Sequence, residues 1–402
     1  MVWLAAASML ACLAQASGAQ DLTLFAYDPA RVTYECRAIS DRPTYRGFEV
    51  RFPSQVPSEY PANQTVYAWL YEPKRPGPMP AVVVLHELAT VQGGLARALC
   101  QQLAGVGIVA LQVVMPYHMQ RTPPGAASGE LLVMGDLDHL RQTAVQAVVD
   151  VRCSVDFLAS RPLVDPKRIG ITGMSLGGTV ALLASRIDGR FSAVASILGA
   201  GDPAFILWHS RLMGGAKVGL LEQGHGIADA RRALESVNTI AYRDRNRKCA
   251  VLMIAGRHDW VMPVHAVKPT WKALGRPPIV WLNSGHISPL LARGRIFDEV
   301  RRFLQMQLGL RPGPYVPARL TTANLKVGVL GSQTLGVAPA LVVEPIQITR
   351  DGTVAVDLGA TPHGFLIGVS ARPFEHLSLG LGTPIGRGRL RLEPYWMLHA
   401  TF

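Results

Sequence analysis

The chain has 402 residues, 49% hydrophobic and 17% charged, which excludes a disordered chain and suffices for one large α/β domain plus a smaller module. The formal net charge is +12, but Lys and Arg are spread along the chain without a basic run or an RNA-binding signature. The basicity therefore reads as a general surface property, and nucleic acid is not an expected partner.

Residues 1–20 form an uncharged apolar run ending in small residues, and Ser17, Gly18 and Ala19 fit a signal-peptidase site. Residues 1–19 are thus read as a signal peptide, with the mature chain starting near Gln20 and exported to the periplasm or beyond. No Lys or Arg precedes the run, which keeps an N-terminal anchor as the alternative, although roughly fifteen apolar residues fall short of a spanning helix. Cys36, Cys100, Cys153 and Cys249 lie beyond it at irregular spacings, with neither a disulfide framework nor a metal pattern, and read as buried free thiols.

Residues 21–64 are poorly periodic, with strand candidates at 47–52 and 65–71 that suit antiparallel edge strands. Residues 81–85 (AVVVL) are the continuous apolar run of a strand buried on both faces, ending at His86, Glu87 and Leu88. A helix is expected over 94–104, a buried strand over 108–114, and a loop carrying Tyr117 and His118 after it. Residues 137–158 carry apolar side chains at Leu137, Leu140, Ala144, Val148, Val151, Val155 and Leu158, spacings of three and four that predict a helix with one face on a sheet. Strands follow at 168–172, 191–198, 249–255 and 278–282, and a closing helix at 296–308. The alternation implies a mainly parallel sheet covered by helices on both faces, with its site at the carboxyl ends of the strands. Residues 201–248 form a long interval with one helix near 228–234, either an insertion that roofs the site or an ordinary crossover.

Between a strand and a helix the chain reads Gly173-Met174-Ser175-Leu176-Gly177, a G-x-S-x-G motif. A serine on a sharp strand-to-helix turn is exposed and strained, and Gly173 and Gly177 allow strand and helix to approach. Five such residues occur often by chance; the flanking strand and helix give the match its weight. A serine nucleophile needs a base and an acid to orient that base, in the order Ser, Asp or Glu, His on this architecture. Asp259 and His286 each follow a strand in that order; His258 lies mid-loop and His265 starts a helix. Taken singly, Asp259 reads as a loop cap and His286 as an ordinary histidine, but order and strand-end placement together make Ser175, Asp259 and His286 the catalytic candidates. The oxyanion donors expected are the backbone N–H of Leu176 and that of Glu87 or Leu88. The Glu87 carboxylate either touches nucleophile or substrate, or binds a neighbouring backbone. His86, Leu88, Tyr117 and His118 are candidates to line the substrate pocket, with packing as the competing role for Tyr117 and His118.

Residues from about 46 to 308 resemble an α/β-hydrolase, nearest in pattern to the dienelactone-hydrolase and acetyl-xylan-esterase-like branches. The pieces that carry the resemblance are VVVLHE at 82–87, PYHMQR at 116–121, VDPKRIGITGMSLGG at 164–178, AGRHDWVMP at 255–263 and SGH at 284–286. The resemblance implies an α/β fold with a sheet of about eight strands. It also implies hydrolysis of a carboxylic ester or related acyl bond through an acyl-enzyme, with no metal or organic cofactor. Dienelactone hydrolases typically carry cysteine where this chain has Ser175, so their substrate does not transfer. Peptidase and thioesterase are variants of the same mechanism, and a catalytically silent scaffold or an envelope-attached interaction protein are readings of other classes.

A Pro-rich linker at 311–317 separates the expected hydrolase domain, 20–310, from an extension, 311–402. There Leu377, Leu379 and Leu381 alternate, as do Leu390 and Leu392 with Arg389 and Arg391, the pattern of half-buried strands joined by a turn at 382–386. Phe402 after such strands resembles the tail of an outer-membrane barrel, but about ninety residues do not supply the eight or more strands that a closed barrel is expected to need. A small antiparallel module is expected, packed on the hydrolase or docking it to the envelope or a partner chain. Cutting after Leu310 is expected to leave a folded esterase with near-normal turnover of small esters but altered solubility or attachment.

Overall fold

The structure, a computed structural model, describes residues 22–133, 136–320, 322–349, 353–385 and 391–402. The expected signal peptide lies outside the described residues. Among those residues no helix is long and apolar enough to cross a membrane.

A nine-stranded sheet runs in the order β1-β2-β3-β5-β4-β6-β7-β8-β9. The first three strands, β1 (Glu35–Asp41), β2 (Tyr45–Pro53) and β3 (Thr65–Pro73), are antiparallel to their neighbours. The rest are parallel: β4 (Met79–Leu85), β5 (Val109–Val113), β6 (Val164–Met174), β7 (Phe191–Ile197), β8 (Ala250–Gly256) and β9 (Ile279–Leu282). The expected count of about eight is short by β1, a largely exposed edge strand without an apolar face to read.

Every residue of β4 is buried because helices cover both faces. Val82 and Val84 belong to one apolar layer with Leu99 and Leu103 of α1 (Gly94–Gly105) and Val300 of α8 (Arg293–Gln307). Val83 and Leu85 belong to the opposite layer with Val148 and Val151 of α2 (Leu137–Ala159) and Leu182 of α3 (Leu176–Ile187). Asp136 caps α2, its carboxylate accepting the His139 N–H at 2.9 Å. Residues 201–248 hold three short helices, α4 (Pro203–His209), α5 (Gly214–Glu222) and α6 (Ile227–Leu234). No disulfide joins the four described cysteines; Cys100, Cys153 and Cys249 are buried, whereas Cys36 is exposed, contrary to expectation.

The linker is fastened to α8. The Tyr315 ring meets Phe303 edge-on at 4.9 Å, the Ala318 N–H donates to Glu299 Oε1 at 2.7 Å, and Arg302 donates to the Val316 carbonyl at 2.7 Å.

Beyond it, six antiparallel strands close into a barrel: β10 (Asn324–Ser332), β11 (Gly336–Gln347), β12 (Val354–Thr361), β13 (Gly364–Phe374), β14 (Leu377–Ile385) and β15 (Glu393–Thr401), with β15 pairing back onto β10. This corrects the expectation that the extension is too short for a closed barrel: six strands close when the bore is narrow, and glycines supply that. A Cβ at Gly368 or Gly380 would lie 2.7 or 2.5 Å from the Tyr395 ring inside the barrel. Two further expectations are corrected. The turn placed at 382–386 overlaps β14, which continues through Ile385, and Leu392 lies outside any strand, since β15 starts at Glu393; Gly386, Arg389 and Leu390 lie outside the described residues. Leu379 and Leu381 face outward and are exposed, while Ser378 is fully buried.

Candidate active site

Ser175 sits between β6 and α3 with φ 54° and ψ −113°, a backbone conformation L-residues rarely hold. Its N–H donates to the Ile197 carbonyl at 2.8 Å, which ties the turn to β7. Two glycines make the turn sterically feasible. A Cβ at Gly173 would lie 2.3 Å from the Gly177 carbonyl oxygen, and one at Gly177 would lie 2.6 Å from the carbonyl oxygens of Leu85 and His86. The start of α3 thereby lies directly on the exit of β4. Leu176 is the first residue of that helix, so its N–H lacks an intrahelical acceptor, and the helix dipole adds partial positive charge beside Ser175.

The loops after β8 and β9 bring two side chains to the serine. Asp259 is buried, and its Oδ1 accepts the N–H groups of Val261 at 2.8 Å and Met262 at 2.7 Å. Its Oδ2 lies 2.7 Å from His286 Nδ1, and His286 Nε2 lies 2.9 Å from Ser175 Oγ. A carboxylate at Nδ1 fixes the tautomer with the proton there, leaving the Nε2 lone pair toward the serine hydroxyl. His258 turns away: its Nε2 lies 3.1 Å from Asn283 Oδ1 and 3.1 Å from Arg372 of β13. Burial, then the Arg372 charge, lower its pKa. His265 lies in α7 (Val264–Ala273).

The remaining sequence candidates divide. Leu88 and Leu176 line an apolar cavity of about 150 Å³ that Ser175 also lines. His86 is fully buried and holds backbone: its Nδ1 lies 2.8 Å from the Glu87 carbonyl and its Nε2 accepts the Met115 N–H at 3.0 Å. His118 is equally buried, its ring 4.8 Å from that of His86 and its Nδ1 2.8 Å from the Pro116 carbonyl. Burial first lowers the pKa of His86 to about 3 and of His118 to about 4, so both are neutral scaffolding near neutral pH. Tyr117, with φ 64°, donates its N–H to Asn63 Oδ1 at 3.1 Å and lines a separate cleft with Ser58 and His139. Glu87 Oε2 is buried without a hydrogen-bond partner among the described residues.

The sequence reading missed the cavity's far wall. Ala144 and Ala147 of α2, Ile206 and Leu207 of α4, and Met213 and Leu234 complete it, so the 201–248 interval does form part of the enclosure. An apolar residue on a helix looks the same in sequence whether it faces a neighbouring side chain or a void.

Comparisons with known proteins bear on this arrangement. An uncharacterized Mycobacterium tuberculosis protein is 28% identical over 257 residues, 62% of this chain and 58% of that protein, so the chain spans somewhat over half the length of this relative. An acetyl xylan esterase from Paenibacillus superposes with a TM-score of 0.57 at 20% identity, covering 70% of this chain and 90% of that one. Acetyl xylan esterase 1 from Thermoanaerobacterium superposes at 0.52 and 17% identity, covering 70% and 89%. At these identities the likeness is one of fold, that of the α/β-hydrolases. The family model for the dienelactone hydrolase family matches residues 66–276, more than half of the chain, which therefore belongs to the dienelactone hydrolase family.

Proposed function

We propose that the protein is a serine hydrolase acting on carboxylic esters with a compact apolar acyl group. The observation that carries this reading is the unbroken run from Asp259 Oδ2 through His286 to Ser175 Oγ, at 2.7 and 2.9 Å, beside an apolar cavity. His286 Nε2 takes the hydroxyl proton as Oγ attacks the ester carbonyl, and the Asp259 carboxylate stabilises the imidazolium. The donors assigned to the oxyanion are the N–H of Leu176 and that of Glu87 or Leu88. The proton on Nε2 passes to the leaving alcohol as its C–O bond breaks. Water, deprotonated by the same nitrogen, then attacks the acyl-enzyme and frees the carboxylic acid and the serine. An apolar cavity near 150 Å³ accommodates a group about the size of benzene. That favours short aliphatic or small aromatic acyl groups over long chains, and the absence of charged side chains among the described residues of its lining disfavours charged ones.

The test is a panel of p-nitrophenyl esters from acetyl to decanoyl, run beside peptide and thioester substrates with the parent and Ser175→Ala. Turnover peaking at butanoyl to hexanoyl and absent in the variant is expected. Full activity in Ser175→Ala would remove the mechanism, and a preference for peptides would remove the esterase assignment while keeping the nucleophile.

A further inference from the structure

The barrel has the polarity of a soluble protein turned inside out. Its outward positions alternate with buried ones on all six strands, and they are apolar: Val327, Leu341, Leu358, Ile367, Leu379 and Leu398, one from each strand, are all exposed. Phe365 is 61% exposed. Among the described residues no charged side chain interrupts this outer face within the strands.

The charges lie inside. Lys326 is fully buried, donates to Ser378 Oγ at 2.8 Å and pairs with Glu344, which also receives Arg372 at 2.8 Å. Tyr395 donates to Asp357 at 2.6 Å in the same interior. A sequence that buries charges and exposes aliphatic side chains on one closed sheet has matched its two faces to two environments.

We infer that the outer face of the barrel is a lipid-contacting surface that inserts into the hydrocarbon of a bilayer and seats the enzyme at the membrane. Three observations favour acyl chains over a protein partner. The apolar surface encircles the barrel, whereas a second copy of the chain would cover one side and leave the others wet. The surface is also banded. At the end away from the hydrolase sheet the rim is polar, with Thr334 donating to Glu393 at 2.7 Å, His363 bound to the Leu335 carbonyl at 2.8 Å, and Arg391 exposed. At the other end Gln347 donates to the Asn283 carbonyl at 2.8 Å and Arg372 meets His258. The height fits as well: Val337 to Ile346 on β11 spans about 30 Å along a strand at ~3.3 Å per residue. At a tilt of ~40° that gives about 23 Å, against an apolar band of ~25 Å in membrane barrels. The inference stands apart from the chemistry at Ser175, and Ser175→Ala should bind lipid as the parent does.

The test uses the full chain, purified in mild detergent and reconstituted with vesicles of phosphatidylethanolamine and phosphatidylglycerol at 3:1, then floated on a density gradient. The parent should float and stay with the lipid through washes in 1 M salt and in carbonate at pH 11. The double variant Ile367→Asp with Leu379→Asp should lose at least tenfold of the floated fraction while keeping the parent's circular-dichroism spectrum in detergent. A readout that does not rely on that variant is an environment-sensitive fluorophore on Leu379→Cys in a Cys36→Ser background, which lipids brominated mid-chain should quench at least twofold. Release of the parent by salt alone would overturn insertion in favour of attachment by charge. Parent protein that does not float and forms discrete oligomers in detergent-free buffer would assign the surface to a second copy. An unquenched fluorophore on floated protein would place Leu379 outside the hydrocarbon and equally overturn the inference.

Discussion

The backbone of Phe402 is packed against Gly285, so closely that a Cβ on Gly285 would sit 2.3 Å from the Phe402 carbonyl carbon. The Phe402 carbonyl accepts the Ser288 N–H at 3.1 Å, its own N–H donates to the Leu325 carbonyl at 2.8 Å, and its ring meets Trp260 edge-on at 5.6 Å. The barrel thus braces the loop that carries His286 and touches the loop that carries Asp259. Gly285→Ala must displace one of two backbones, and a shift of about 1 Å at a catalytic group can cost roughly a hundredfold in rate. Steady-state kinetics on a short ester should show kcat lowered at least tenfold with KM nearly unchanged. Truncation after Leu310 removes this brace, so in place of the near-normal turnover expected from sequence it should also lower kcat. Normal turnover in both would show that the histidine loop holds its own geometry.

Ser175, His286 and Asp259 should behave as one unit. Ser175→Ala and His286→Ala are each expected to lower kcat by about 10⁴-fold or more, with the double variant no worse than either, and Asp259→Asn to lose somewhat less. Losses that multiply in the double variant would mean the two side chains act in separate steps.

Arg121 is wholly buried, pairing with Asp150 at 2.7 Å and donating to the carbonyls of Val114 at 3.0 Å and Asn63 at 2.8 Å. Burial pushes the Asp150 carboxyl upward against the pull of Arg121 and Ser54. Arg121→Met leaves that carboxyl without its partner and should cost about 3–5 kcal/mol of stability. Adding Asp150→Leu should recover a large part of the loss. Urea melts of the four proteins in a double-mutant cycle would measure it, and additive losses would show no coupling.

The pH dependence of stability should carry the signature of His86. Its folded pKa, about 3, lies below the ordinary value of 6.5, so between the two the unfolded chain binds a proton that the folded one excludes. Stability from this group is complete above about pH 6.5 and falls as pH drops toward 3, by up to about 1.4 kcal/mol per pH unit for one proton. His86→Asn, measured by denaturant midpoints from pH 8 to 4.5, should show a shallower decline than the parent. Parallel profiles would mean that His86 is not buried neutral.

Ala144 lines the cavity from α2 and, with Ala147, leaves it room that a larger side chain would take. Ala144→Leu should fill part of the ~150 Å³ and shift preference toward acetyl esters, lowering kcat/KM for hexanoyl esters by roughly 10-fold or more, a few methylenes' worth of discrimination. An unchanged chain-length profile would place the acyl group elsewhere.

Much of the hydrolase region was legible because its signals are local. The residues that form the serine turn and the fully apolar β4 follow from short-range patterns, and the loops after β8 and β9 end strands that such patterns locate. β1 gave no pattern because neither face is buried. The cavity wall of α4 and Met213 gave none because lining a void and filling a core demand the same side chains. The barrel shows a different limit. A period of two says that Leu379 and Ser378 face opposite ways, but not which way is out. That depends on the solvent outside, and the small bore depends on Gly380, paired with Tyr395 on the adjoining strand, and Gly368, one strand further, leaving room for its ring.

The contact between Phe402 and Gly285 also has a meaning in time. Ser175, Asp259 and His286 all leave the ribosome before the strand that steadies the histidine loop has been made. If the brace sets the position of His286, order of synthesis alone delays full alignment of these three side chains until β15 has closed the barrel against β10. A nascent hydrolase would pass through its early life without full activity, coming into service only once the part that carries the apolar surface has assembled.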